Sequence, residues 1–225
     1  MNALLRLMTW LSPSFPVGGF SYSHGLERAV EQGLVSDRAS LTAWIDTILH
    51  HGAGRSDAAL LLEAYAALND ASRLDKLVEL ADCLRPSAEL ALESSAQGTA
   101  FLNTVAAVWP DPWLEDWKAR LRQQGRAPAY AVAVGVVAAR CDIAAPDACA
   151  AFLHAFAANL VSAAVRLVPL GQTDGMKAVA ALEPVALDCA TAALGRPFAD
   201  LGSATPVVDW CSLTHETQYT RLFRS

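Results

Sequence analysis

The chain has 225 residues, 53% hydrophobic and 18% charged, with 17 basic against 23 acidic side chains and a formal net charge of −6. That length fits one large domain or two small ones, and a helical domain of this size buries roughly three-quarters of its unfolded surface without needing staples. The acidic balance repels phosphate backbones and excludes nucleic acid as a natural partner. Alanine, the best helix former, is the commonest residue, and long β-branched alternations are scarce.

In chain order, Leu4, Leu5, Leu7, Met8 and Leu11 form a helical stripe, and Pro13, Pro16 and the Gly18–Gly19 pair then impose a loop over Ser12–Gly19. Ser21 or Ser23 suits the cap of a short helix through Gln32, with Gly33 past its end. Leu41, Trp44, Ile45, Ile48 and Leu49 fall at i, i+3, i+4, i+7 and i+8, the clearest amphipathic helix, capped by Ser36 or Asp37 and ended by Gly52 and Gly54. Ser56 or Asp57 starts a helix through Leu68. Residues 71–84 form another that stops near Pro86, and Ser87 begins one that runs to about Val108. After the rigid turn Trp109–Pro112, Trp113, Leu114, Trp117 and Leu121 line a helix closed by Gly125. Pro128 and Pro146 introduce helices over 128–140 and 146–168. Residues 176–194 are helical with a break or kink near Pro184, and 195–206 are loop. About nine or ten helices with short connections predict an all-α protein with one domain over residues 1–225.

Met1–Leu11 carries Arg6 in mid-stretch and no small-residue cleavage site, so no signal peptide is read there. The apolar run Ala127–Ala139 is shorter than the roughly 20 residues a bilayer requires, and His154, Asn159 and Arg166 interrupt the run Ala148–Leu170. Both read as core helices, and no membrane is expected. Cys83, Cys141, Cys149, Cys189 and Cys211 are odd in number with no C-x-x-C pair, which fits free thiols in a reducing cytoplasm.

The chemistry-bearing motifs are mostly absent. Gly171–Lys177 has the wrong spacing for a phosphate-binding loop, and His215-Glu216 supplies one histidine, not the pair of a zinc helix. His50 and His51 are neighbours on a helix, where side chains diverge by about 100°. His154 reads as a satisfied core histidine. Phe20–Gly25 lacks the G-x-S-x-G of a nucleophile elbow, so Ser21 and Ser23 read as capping serines. No catalytic residue and no metal ligand is predicted.

Two segments ask for more than core packing. The loop Ser12–Phe20 presents aromatics, Phe15 among them, on a stiff glycine-jointed frame; it is either an interaction surface or an ordinary connection. The ending, Thr214–Ser225, sets Tyr219, Leu222 and Phe223 at helical spacing beside Arg221 and Arg224. Aromatics with arginines are what interfaces use; the alternative is that this tail docks on its own domain.

These segments resemble the UreF family. Leu11–Glu27 looks like its N-terminal signature, Asn159–Gln172 like a second-half motif, and His215–Ser225 like its characteristic ending. Where relatives have an Arg/Thr/Glu-rich helix, Arg85-Pro86-Ser87-Ala88-Glu89-Leu90 keeps the pattern only at Arg85 and Glu89. The resemblance implies an all-helical homodimer in the cytoplasm. It also implies a non-catalytic chaperone in a complex with UreD (also called UreH) and the GTPase UreG, which directs GTP-dependent nickel insertion into apo-urease. It implies no cofactor of the chain's own, since nickel and GTP belong to the partners. The expected partner-binding residues are Phe15, Tyr22, Arg166, His215, Glu216, Tyr219, Arg221, Leu222, Phe223 and Arg224, with residues 207–225 as a partner-binding tail. Arg166 is expected to position UreG from a helix surface. The tail, helical over 214–224, is too short for an isolated helix, so the free protein is expected to hold it loosely. The competing classes are a helical enzyme using Ser23 and His24, and an unrelated helical adaptor.

Overall fold

The computed structural model describes residues 2–225, and among these there is no strand. Eleven α-helices follow one another: α1 (Ala3–Trp10), α2 (Leu26–Glu31), α3 (Arg38–His51), α4 (Ala53–Ala66), α5 (Ala71–Cys83), α6 (Ala88–Val108), α7 (Pro112–Gln123), α8 (Tyr130–Arg140), α9 (Ala145–Leu167), α10 (Gln172–Leu194) and α11 (Pro206–His215). Short 3₁₀ turns lie at Gly19–Ser21 and Phe198–Asp200.

The starts of several helices follow from local hydrogen bonding. Asp37, Asp70, Ser87 and Asp111 each accept backbone N–H groups of the following first turn, and Asp37 with Ser40 closes a capping box. Pro112 occupies the first turn of α7, where its missing N–H has no intrahelical partner to lose.

At the centre stands α8, where Ala131–Ala138 are buried without interruption. A helix apolar on every side must be surrounded, and α4, α6 and α9 enclose it. Contact with α4 is close because residue 135 is glycine: a β-carbon there would overlap the Leu61 carbonyl. Helix α10 packs along α9 and reaches α3, while α11 lies on α2 and α6. Buried Trp10 fixes α1 by edge contacts to Phe101 and Trp109 at ring separations of 6.1 and 6.0 Å. Long and apolar enough by length and composition to cross a membrane, α9 has half of its most apolar window buried inside the fold.

Some sequence expectations are overturned. On α1 only Leu7 of the proposed stripe is buried, while Leu4, Leu5 and Met8 face outward, because Trp10 is the anchor. Gly52 alone separates α3 from α4, which starts at Ala53 rather than at Ser56 or Asp57, and Gly54 lies inside α4 against Leu49. Helix α2 is capped by Gly25, not by serine, although Ser23 Oγ accepts the Glu27 N–H at 3.3 Å. The start of α8 is two residues past Pro128, and α10 begins at Gln172 and runs through Pro184 without a break. Its long contact with α9 offsets the lost backbone hydrogen bond. His154 is exposed on α9, not a core histidine. The stretch after His215 is not helical.

Gly135→Ala is expected to push α4 and α8 apart and destabilise the fold by about 1–3 kcal/mol. In thermal melting this reads as a fall of roughly 2–10 °C; an unchanged midpoint would refute the close-contact account.

Candidate functional site

The three segments singled out in the sequence converge. The first is set by backbone geometry before α2, where His24 and Gly25 both adopt positive φ, +57° and +76°. Only glycine fits at residue 25, since a β-carbon would stand 2.9 Å from the Ser212 backbone nitrogen. The start of α2 is thereby pressed against α11, and Glu27, in the first turn of α2, faces His215 at the end of α11.

Glu27 is the hub of the cluster. Its carboxylate, with the residue 6% exposed, accepts the backbone N–H groups of Leu222 at 2.7 Å and Phe223 at 3.0 Å, and lies 3.0 Å from His215 Nε2. His215 Nδ1 lies 2.6 Å from Glu89 on α6, whose other oxygen accepts from Arg221 Nη1 at 2.6 Å. The chain then runs beside the early loop: Arg224 N–H donates to the Ser21 carbonyl at 2.8 Å and Ser23 N–H to the Ser225 carbonyl at 2.9 Å. Ser225 Oγ donates to Glu93 at 2.7 Å. Around this core, Ser87 and Ser212 share a hydrogen bond of 2.6 Å, and Glu216 accepts the Ala88 N–H at 3.2 Å.

The middle segment closes the arrangement through Arg166. Its guanidinium carbon stands 3.7 Å from the Phe20 ring centroid and 4.3 Å from that of Phe223, and Nη1 donates to the Phe20 carbonyl at 2.9 Å. About two turns earlier on α9, Asn159 Nδ2 donates to the Gly19 carbonyl at 3.2 Å. Arg166 therefore ties the early loop to the C-terminal segment by stacking and hydrogen bonding together.

The predicted interaction residues divide into two groups. Tyr219 is fully exposed and Leu222 is 71% exposed, with Glu216, Arg221 and Arg224 also on the surface. Phe15, Tyr22, His215 and Phe223 are buried, and Arg166 is half-buried against its own chain. Phe15 packs on Phe101 at 5.5 Å, so within the early loop it is Phe20 that faces solvent. The expected helical stripe over 214–224 is not formed, and the expected loose tail is instead bonded into the core. A helix there would withdraw the Leu222, Phe223 and Arg224 amides from Glu27 and Ser21, and it would uncover Phe223. Reasoning from sequence missed Glu27, Glu89, Glu93 and Phe20. Glu27 closes the N-terminal signature and Glu89 is one of two residues kept in the divergent stretch, which was the available signal.

Beside the cluster lies a cavity of about 840 Å³ between α1, the early loop, α6 and α9. Arg85 and Asp57, paired at 2.6 Å and nearly buried, sit in its wall. Burial works against the Arg85 charge, but Asp57 holds it on. Ser23 and His24 do not bond to each other: Ser23 Oγ is taken up by Ser225 and Glu27, while the His24 ring stacks edge-on to Phe156. Among the described residues no three His, Cys, Asp or Glu side chains converge to hold a metal ion. Burial pushes the Cys149 thiol up to about 12 and that of Cys189 up to about 11, so both remain protonated near neutral pH.

An all-helical chain whose three separated motifs meet at its own C-terminus is a protein built around a shaped surface. Comparison with known proteins gives its family. The UreF family model matches residues 35–183. The chain is 50% identical to the urease accessory protein UreF of Bradyrhizobium sp. strain BTAi1, an alignment covering 99% of this chain and 92% of that protein. It is 51% identical to the UreF of Rhodopseudomonas palustris strain TIE-1, covering 99% and 92%, and 48% identical to that of Granulibacter bethesdensis, covering 99% and 94%. The chain belongs to the UreF family of urease accessory proteins.

Because the tail is integral, removing residues 216–225 is expected to destabilise the protein rather than spare it. Glu27 and Glu93 would lose buried partners and Phe223 its site, at about 3–5 kcal/mol, or roughly 10 °C in the melting midpoint. A truncated protein that melts within about 2 °C of the full chain would overturn the docked tail.

Proposed function

We propose that this chain is a non-catalytic scaffold in urease maturation. In this reading it joins UreD (UreH) and the GTPase UreG in a cytoplasmic complex that directs nickel into apo-urease. The reading rests on family membership together with the convergence of the three family-like segments on one surface. Nickel and GTP enter as cargo and as the partner's nucleotide; this chain contributes shape.

Within that scaffold the roles divide by exposure. Tyr219, Leu222, Glu216, Arg221 and Arg224 form the contact surface of the tail, and an aromatic and a leucine standing out from a fixed backbone are suited to insertion into a partner. His215 and Phe223 act from beneath by holding that backbone in place, while Phe15 and Tyr22 are buried within the early loop. Arg166 positions Phe20 and the tail for UreG rather than reaching toward a nucleotide, since both its aromatic neighbours belong to its own chain. A second copy of the chain pairs with the first, and the outward-facing Met176, Leu187 and Leu194 of α10 offer apolar surface for it. Light scattering at tens of micromolar reads that directly, a monomer counting against it.

Co-purification with UreD and UreG tests the assembly. Replacing both Tyr219 and Leu222 by alanine is expected to leave the melting midpoint unchanged and to weaken UreD capture by roughly 30-fold or more, as loss of one or two anchor side chains does. Undiminished capture would remove the tail from the interface. Arg166→Ala is expected to reduce UreG recruitment; if UreG binding and urease activation both persist, the positioning role fails. Incubating the purified chain with GTP or model esters is expected to give no turnover and with nickel at most weak binding, and hydrolysis of GTP or an ester would favour an enzyme.

A further inference from the structure

We draw no further inference here: the strongest candidate, the cavity of about 840 Å³ between α1, the early loop, α6 and α9, opens between the outward-facing Leu4 and Met8 of α1 and the exposed His154 of α9, and nothing in the structure shows what covers it.

Discussion

A single carboxylate inside the protein organises the region where the early loop and the C-terminal segment meet. Glu27 accepts two tail amides and faces a ring nitrogen while nearly shielded from water. A buried carboxylate is tolerated only when its oxygens are satisfied, and hydrogen bonds to a charged acceptor are worth about 1.5–3 kcal/mol each. Glu27 therefore cannot be satisfied unless the C-terminal segment is home, and the segment cannot dock without giving Glu27 its amides. That mutual requirement explains why residues some 195 positions apart in sequence behave as one unit. It also explains the left-handed His24-Gly25 step, which brings α2 close enough to α11 for the contact to exist.

Much of the helical framework was legible in the sequence because its signals are local. Asp37, Ser87 and Asp111 cap where short polar side chains before apolar runs should cap, and α3 buries Leu41, Ile45, Ile48 and Leu49 as their spacing requires. The failures are where a long-range contact overrode a local rule. Pro184 would break a helix in isolation, yet α10 continues because α9 supports it. Tyr219, Leu222 and Phe223 have helical spacing, but Phe223 turns inward onto Arg166 while Tyr219 stands out in solvent. Helical periodicity describes a segment that supplies its own hydrogen bonds, and this one takes them from Glu27 and Ser21 instead.

The site was legible as segments but not as a constellation. The loop and the ending were recognisable by composition and the Arg166 stretch by its family resemblance, and nothing in one-dimensional spacing shows that Arg166 lies between Phe20 and Phe223. Glu27 and Glu89 stand in the sequence only as members of family-like stretches, with no role assigned to either. What distinguishes them is the partner across the fold, His215, and its isolated reading as half of a failed zinc motif pointed away from its bonding role.

The docked tail changes how a partner can be felt by the rest of the chain. A mobile peptide ordering on a surface would register binding only at that surface. Here anything that grips Tyr219 or Leu222 pulls on backbone atoms bonded to Glu27, and through Glu27 on His215, Glu89 and the start of α6. Phe223 transmits the same strain to Arg166, and Arg166 to the Phe20 carbonyl and the early loop. The two routes leave the tail in different directions, one toward α6 and the other toward α9. The contacts along both routes are the same ones that keep the tail docked on the fold.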